Sequence, residues 1–247
     1  MVFLVIIRRI KYNIFYETLT GGICMGSYLN PGNFSFRGSL RSKIYVDKSK
    51  LLAKTNEALC TEQKYIFVSR PRRFGKSMAA NMLAAYYDRN ENTEDLFQNL
   101  VISEDKSYKE NLNQYDVIKV NIQEFLSMSE TMEEMLNMLK SYLVSDFEET
   151  YPKVHFRDKK NLIQVMKDVF SYTKCPFVIL IDEWDCLFRE YKQDKEAQKK
   201  YLDFLRAWLK DKDYVALAYM TGILPIKKYG SHSALNMFTE YSMTDPG

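Results

Sequence analysis

A short apolar run that ends in a strongly basic turn is the feature that most constrains how this chain can fold. The run covers residues 65–68, and four of the next eight residues are basic. Gly75, Lys76 and Ser77 then open a stretch rich in alanine and methionine. Apolar runs bounded by turn residues are typical of buried strands, while alanine and methionine favour helices. The segment therefore predicts a strand over 65–69, a loop, and a helix from about residue 75 to 88.

The loop has the composition of a site for a polyphosphate. Such a ligand requires backbone N–H groups, the positive end of a helix, a lysine and a hydroxyl that can bind Mg²⁺. The chain matches the pattern G-x-x-x-x-G-K-[ST] except that Arg70 replaces the first glycine. Taken alone, the loop fits either a nucleotide site or a basic turn that caps a helix. The residues predicted to contact the nucleotide are Arg70, Pro71, Arg72, Arg73, Phe74, Gly75, Lys76 and Ser77.

A second apolar run ends in two carboxylates. Residues 177–181 are all apolar and are followed by Asp182 and Glu183, which predicts a buried parallel strand with acids at its carboxyl end. Ligands of open α/β sheets lie at that end of the strands. Asp182 and Ser77 would there hold Mg²⁺, and Glu183 would orient or deprotonate an attacking water. This run alone also fits a solvated acidic turn, but the two segments together predict a P-loop nucleoside triphosphatase.

The remaining patterns extend this prediction to an α/β fold. Residues 116–121 predict a strand that lies between the two motifs in sequence, and residues 214–221 predict another after them. The extra strand, with Glu183 beside Asp182, indicates the additional-strand branch of P-loop proteins. We therefore expect a three-layer α/β/α fold with a mainly parallel sheet. A loop is predicted for 26–43, and helices are predicted at 47–59, 95–100, 130–149, 159–172 and 195–210.

The same motifs resemble a known family, the predicted AAA-ATPase-like proteins abundant in gut anaerobes. The family's loop commonly reads RPRRFGKS, as residues 70–77 do here, and residues 180–185 (LIDEWD) resemble its acidic segment. Residues 45–49 (YVDKS) resemble its YVDKT segment, and Thr221-Gly222 resembles the TG that follows its next strand. The resemblance extends over roughly residues 28–240.

This resemblance implies an AAA-like fold, ATP as the nucleotide and a catalytic role for Thr221. Thr221 occupies the position of the polar sensor residue of AAA folds, although a simple Thr-Gly turn is the alternative. The preference for adenine comes from the family, and the chain has no N-K-x-D motif that would read guanine. Family members commonly continue into a PD-(D/E)xK nuclease-like domain that this chain lacks, through which a protein or nucleic-acid partner is expected. The three E-x-K triplets follow no suitably spaced aspartate, so nuclease activity is not expected.

Composition narrows the functional class. With 247 residues and 46% hydrophobic content, the chain suffices for one domain with a full core. A net charge of +3 provides no general basic field for nucleic acid. The chain has four cysteines without C-x-x-C spacing and two histidines. Zinc and disulfides are therefore not expected, and a reducing cytoplasm is favoured.

Residues 1–24 differ from the rest of the chain. Residues 1–7 are apolar and precede Arg8, Arg9 and Lys11, which is the reverse of the order in a secretory signal and too short for a membrane span. We expect an N-terminal extension that is poorly ordered or upstream-translated, with a peripheral membrane anchor as the alternative. Residues 25–247 would then be the AAA-ATPase-like P-loop domain, expected to be truncated at the C-terminus because 225–247 contain no complete helical pattern.

Two functions remain open on these grounds. The first is Mg²⁺-dependent hydrolysis of ATP at the β–γ phosphoanhydride, with Glu183 and Thr221 as catalytic residues. The second is a nucleotide-dependent switch or interaction module with little turnover, acting with a nuclease-like or partner domain. No arginine finger is identifiable within the chain, and Arg206 is a candidate to serve a neighbour in a homo-oligomer. Such a finger contributes roughly 10³–10⁵ in rate, so the isolated chain is expected to turn over slowly.

Overall fold

A parallel sheet forms the centre of the fold. The computed structural model describes residues 26–226 and 235–242, and the expectations for residues 1–24 lie outside this part of the chain. The strands of the described part are β1 (Tyr65–Ser69), β2 (Asp116–Asn121), β3 (Phe177–Asp182), β4 (Val215–Gly222) and β5 (Thr239–Tyr241). Their spatial order is β2-β3-β4-β1-β5, and all neighbours are parallel. Because all strands are parallel, their carboxyl ends meet at one edge, where the predicted loop and carboxylates lie.

The strand inserted between β1 and β3 is β4. The sequence pointed to residues 116–121 as the additional strand, but these residues form β2 at the edge of the sheet. The predicted additional-strand branch of P-loop folds is therefore confirmed, but the strand on which the prediction rested was the wrong one. The spatial order of parallel strands depends on the crossover connections between them, which the pattern of a single strand does not contain. In the observed register Val68 lies beside Thr221 and Ser69 beside Gly222, so the loop after β1 starts next to the end of β4.

Helices cover both faces of the sheet. On β3, Val178 and Leu180 join the core formed with the helices at Lys50–Ala58 and Lys76–Tyr87. Ile179 and Ile181 join the core formed with the helices at Met132–Thr150, Leu162–Thr173 and Lys195–Leu209, as expected from the alternation of side chains along a strand. This is the predicted three-layer α/β/α fold. No helix in the described ranges is long and apolar enough to cross a bilayer. The helices are α1 (Phe34–Leu40), α2 (Lys50–Ala58), α3 (Lys76–Tyr87), α4 (Glu94–Phe97), α5 (Tyr108–Asn111), α6 (Ile122–Ser127), α7 (Met132–Thr150), α8 (Leu162–Thr173), α9 (Cys186–Glu190) and α10 (Lys195–Leu209), with a 3₁₀ turn at Val101–Glu104.

Most predicted elements are confirmed, with small shifts at their ends. The helices predicted over 130–149, 159–172 and 195–210 correspond to α7, α8 and α10. The loop predicted for 26–43 is wrong in part, since α1 lies within it. The side chain of Phe36 is fully buried and stacks on Phe97 with the ring centroids 5.1 Å apart. This contact between distant residues stabilises a helix whose own sequence, with one glycine and two serines, does not favour it.

The strand β5 was also missed. Residues 225–247 were described from the sequence as a stretch of mixed polarity without a complete helix. Thr239–Tyr241 nevertheless pair with β1 in parallel. A three-residue strand of this kind has too few residues for an apolar alternation to be visible. It places a fifth strand beside β1, on the side opposite β4.

Candidate nucleotide-binding and catalytic site

The loop between β1 and α3 contains two residues in the left-handed backbone region. Gly75, the residue before α3, has a φ of +78°, a conformation that glycine adopts without steric cost. Arg73 has a φ of +69°, which costs a residue with a side chain about 1 kcal/mol or more. Strain of this kind is concentrated at ligand-binding sites. The first amides of α3 have no partner within the helix, and an anion can accept hydrogen bonds from them.

Arg70 fits where the common pattern has glycine because its backbone does not need glycine's freedom. Its φ is not positive, and its amide donates to the carbonyl of Gly222 at 3.0 Å, which extends the pairing of β1 with β4. Its side chain is half-buried, close enough to Tyr219 for its charge to oppose the rise that burial causes in the pKa of that tyrosine. The backbone at position 70 therefore does not require glycine in this structure.

Residues 45–49 hold the outer side of the loop. The Lys48 Nζ donates to the carbonyl of Phe74 at 3.1 Å. Asp47 accepts from the amides of Ser49 and Val101 at 2.7 and 2.8 Å. Burial raises the pKa of Asp47, but these hydrogen bonds outweigh it and leave the pKa below its ordinary value. Asp47 thus fixes the segment from which Lys48 reaches the loop.

Lys76, the first residue of α3, is almost completely buried, with 7% of its surface exposed. Its Nζ donates to the carbonyl of Pro71 at 3.3 Å and lies 3.8 Å from Oε1 of Glu183. An ammonium group has three protons to donate, and burying it without partners is costly. Lys76 is therefore placed to donate to a further acceptor between the loop and Glu183.

Asp182 connects α3, β3 and β4. Its Oδ2 accepts from the Ser77 hydroxyl at 2.5 Å, and its Oδ1 accepts from the Thr221 hydroxyl and, at 3.0 Å, from the amide of Glu183. Only 3% of Asp182 is exposed. The three donors satisfy a carboxylate that would otherwise be costly to bury. The predicted metal ligands Ser77 and Asp182 and the predicted sensor Thr221 thus lie in one hydrogen-bonded group.

The side chain of Glu183 lies between two cations, Lys76 and Arg189. Its Oε2 accepts from Nη2 of Arg189 at 2.6 Å, while its Oε1 faces Lys76. Its backbone has a φ of +54°, a strained conformation that is enriched at functional sites. Sequence reasoning missed Arg189. The available signal was its position four residues after Asp185, because one helical turn separates such residues.

Lys119 is a second basic residue that sequence reasoning did not single out. It lies on β2, on the face covered by α3, and its Nζ donates to the amide oxygen of Asn81. Burial lowers the pKa of Lys119, and the nearby charge of Asp182 opposes this change. The alternation of residues 116–121 gave no signal for it, since Lys119 stands between two apolar residues, where a solvent-facing side chain is expected. It adds positive charge near the carboxylate at the end of β3.

The other predicted nucleotide contacts have exposed side chains. Pro71, Arg72, Arg73 and Phe74 are all exposed, and half of the Phe74 surface is accessible. These residues form the loop itself, so their backbones lie at the site while their side chains are exposed to solvent.

Arg206 lies away from the loop of its own chain. It is exposed near the end of α10, and the last residue of that helix, Leu209, accepts a hydrogen bond from the Tyr65 hydroxyl at 3.0 Å. Tyr65 starts β1, whereas the loop follows the end of β1. Arg206 is therefore near the amino ends of the strands, whereas Lys76 lies at their carboxyl ends.

The donor set fits a nucleotide with Mg²⁺. Magnesium bound with a nucleotide takes one or two protein oxygens and completes its shell with phosphate and water, and Ser77 and Asp182 supply two adjacent oxygens. The described residues contain no group of three or more histidines, cysteines or carboxylates that could hold a metal by itself. A site of this kind requires phosphates to complete the metal's coordination.

A comparison with known protein families agrees with the fold. The sequence model of the family described as Predicted AAA-ATPase matches residues 36–231, more than three quarters of the chain. None of the curated proteins compared with the chain matches it. The matched range contains the loop, the carboxylates at the end of β3 and Thr221. The chain therefore belongs to the predicted AAA-ATPase family.

Proposed function

We propose that the protein binds ATP with Mg²⁺ and hydrolyses its β–γ phosphoanhydride. The observation that supports this most strongly is the convergence of Lys76, Ser77, Asp182, Glu183 and Thr221 at the carboxyl edge of the sheet. These residues come from the starts or ends of three elements that are distant in sequence. A basic turn that only caps a helix does not require a buried lysine facing a carboxylate.

The proposed roles follow from the positions of the polar atoms. The loop amides and Lys76 bind the β- and γ-phosphates, because both are donors at the same helix start. Ser77 and Asp182 hold Mg²⁺, which when bound neutralises charge on the phosphate oxygens. Thr221 keeps Asp182 oriented through its hydroxyl and lies within the same group for contact with the γ-phosphate or the attacking water.

Glu183 is the proposed acceptor of the water proton. The water oxygen forms a bond to the γ-phosphorus, the bond from that phosphorus to the β–γ bridging oxygen breaks, and the water proton passes to the Glu183 carboxylate. ADP and inorganic phosphate leave with the electron pair of the broken bond on the β-phosphate. General-base catalysis of this kind contributes roughly 10²–10⁴ in rate.

A nucleotide-dependent switch with slow hydrolysis is the second candidate. The observation that favours it is the distribution of arginines. Arg189 is engaged by carboxylates, and Arg206 lies near the amino ends of the strands. If a neighbouring copy supplied its exposed Arg206, a homo-oligomer would hydrolyse faster than an isolated chain. The proposal also includes a protein or nucleic-acid partner that acts through a further domain. It also includes a cytoplasmic location.

The test compares wild type with Lys76→Ala and Glu183→Gln for ATP binding and phosphate release. Lys76→Ala is expected to weaken ATP binding by roughly 10–100-fold, the effect of a lost charged hydrogen bond. Glu183→Gln is expected to bind ATP and to lose about 10²–10⁴ in turnover. Matched controls are Lys54→Ala and Glu196→Gln, whose side chains are largely exposed in surface ion pairs. Binding without turnover by wild type, at any protein concentration, would support the switch instead, and equal binding by Lys76→Ala would contradict both candidates.

A further inference from the structure

Arg189 forms ion pairs with two carboxylates of the acidic segment, and no other cation among the described residues does so. Its Nη2 lies 2.6 Å from Oε2 of Glu183, and its Nε lies 3.6 Å from Oδ2 of Asp185. The second distance is an ionic contact and is too long for a hydrogen bond. Four fifths of the Arg189 side chain is buried. α9 begins directly after the acidic segment, and its first turn brings Arg189 back toward the end of β3.

Asp185 anchors Arg189 to the end of β4. The carboxylate of Asp185 is fully buried, and its Oδ2 accepts from the amides of Ile223 and Leu224 at 3.2 and 2.9 Å. Those two residues directly follow Thr221 and Gly222. Because the amides belong to the backbone, they hold the carboxylate in one place. Arg189 therefore extends from a fixed carboxylate to Glu183.

The two oxygens of Glu183 are consequently assigned to different partners. Oε2 is occupied by Arg189, and Oε1 points toward Lys76 at 3.8 Å. Lys76 marks the position that the proposed function gives to the outer phosphates. We propose that Arg189 is a positioning residue, which holds Oε2 of Glu183 so that Oε1 faces the γ-phosphate and its attacking water. This inference rests on the proposed function and adds to it a residue that acts through Glu183.

Removing Arg189 has two consequences at the site. Glu183 loses the partner that fixes its orientation, so fewer molecules present Oε1 to the water, and turnover falls. Lys76 becomes the nearest cation to an unpaired carboxylate, so Glu183 competes with the phosphates for Lys76 and ATP binds more weakly. Both effects require the charge of Glu183. They disappear when residue 183 is glutamine.

The experiment is a double-mutant cycle on the full chain. ATP affinity and phosphate release are measured for wild type, Arg189→Gln, Glu183→Gln and the double variant. Arg189→Gln is expected to reduce turnover and ATP affinity by about tenfold each, within the range of coupling between residues in contact. In the Glu183→Gln background the same substitution is expected to change neither quantity by more than about twofold. Arg37→Gln is the control, since Arg37 on α1 forms an ion pair with Asp95 on α4, outside the site.

Arg189→Lys supplies the readout that a purely structural role would not change. A lysine can neutralise Glu183 but cannot contact two carboxylates with a rigid planar group. It is therefore expected to restore ATP affinity more fully than turnover.

The outcomes separate this inference from the proposed function. If wild type does not bind ATP, both this inference and the proposed function are overturned. If wild type binds ATP without turnover, the effect of Arg189→Gln on ATP affinity in the two backgrounds still tests whether Arg189 acts through Glu183. Equal effects of Arg189→Gln in the two backgrounds, or faster turnover in Arg189→Gln, would overturn the positioning role and leave ATP hydrolysis standing.

Discussion

The Ser77 hydroxyl donates a hydrogen bond of 2.5 Å to Oδ2 of Asp182, although 105 positions separate the two residues in sequence. Ser77 belongs to the helix after the loop, and Asp182 ends β3. This hydroxyl and this carboxylate are the two protein oxygens that the proposed function assigns to Mg²⁺. Their contact links the two motifs from which the fold was predicted.

Replacing Ser77 with alanine tests this contact. Ser77→Ala removes one predicted metal ligand and leaves Oδ2 of Asp182 without its donor. The Mg²⁺ concentration that gives half-maximal turnover is expected to rise by on the order of 10–100-fold, as for other altered metal-site residues. The measurement is a Mg²⁺ titration of phosphate release, with Ser39→Ala as control, since the Ser39 hydroxyl donates to the carbonyl of Ser35 within α1. An unchanged Mg²⁺ requirement would exclude Ser77 as a ligand.

Gly222 has no space for a side chain. A Cβ there would lie 2.4 Å from Cδ1 of Trp184 and 2.8 Å from Oδ1 of Asp185. Gly222→Ala is therefore expected to lower the free energy of unfolding by about 1–3 kcal/mol, the usual cost of overpacking. Gly38 in α1 has nothing within 4 Å of the corresponding position, so Gly38→Ala is expected to raise that free energy by about 0.5–1 kcal/mol. Urea unfolding of both variants checks the opposite signs, and a Gly222→Ala protein as stable as wild type would contradict the packing described here.

Lys48 is expected to support the loop through the carbonyl of Phe74. Lys48→Ala removes that hydrogen bond from a loop that carries a strained Arg73. ATP affinity is expected to fall by about 2–10-fold, the equivalent of one ordinary hydrogen bond, with a smaller change in turnover at saturating ATP. The neighbouring exposed Lys50→Ala is the control. Equal ATP affinities for the two variants would show that the contact does not support binding.

Asp88 is expected to make folding sensitive to pH. Burial raises its pKa from 3.8 to about 6, although the amides of Asn90 and Gly32 donate to it. A carboxyl group whose pKa is raised by folding holds its proton more tightly in the native state, so its contribution to the free energy of unfolding falls as pH rises from about 4 to 6. Asp88→Asn removes this dependence. The unfolding free energy of Asp88→Asn, minus that of wild type, is therefore expected to increase by about 2–3 kcal/mol from pH 4 to pH 7.

Urea unfolding at several pH values measures that difference. The exposed Asp203→Asn, which loses only a surface ion pair with Lys199, is the control and should show no such trend. A difference between Asp88→Asn and wild type that is constant with pH would contradict the assignment.

The fold was predictable where local sequence determines local structure. β1 and β2 were predicted with their observed bounds because an apolar or alternating run defines each strand. α1 and β5 were missed for a different reason. α1 depends on the packing of Phe36 against Phe97, and β5 depends on the free edge of β1. Such contacts join distant parts of the chain and leave no local pattern. The position of β4 between β1 and β3 was likewise set by the connections between strands.

The candidate site was predictable in its residue types and only partly in its contacts. Lys76, Ser77 and Asp182 follow from motif spacing, since the carboxyl ends of parallel strands converge. The ion pair between Arg189 and Glu183 was not predicted, because a five-residue helix brings Arg189 back to the strand end. The role of Lys119 was missed because a single lysine within a strand is usually read as a solvent-facing position.

The chemical identity of the nucleotide bound after one incubation is the most direct test of ATP hydrolysis. Wild type and Glu183→Gln are mixed with Mg²⁺ and ATP, separated from free nucleotide, denatured, and the released nucleotide is identified by chromatography. The account predicts ADP from wild type and intact ATP from Glu183→Gln. Intact ATP from wild type, or ADP from both proteins in equal amounts, would contradict the assignment of Glu183 as the residue that activates water.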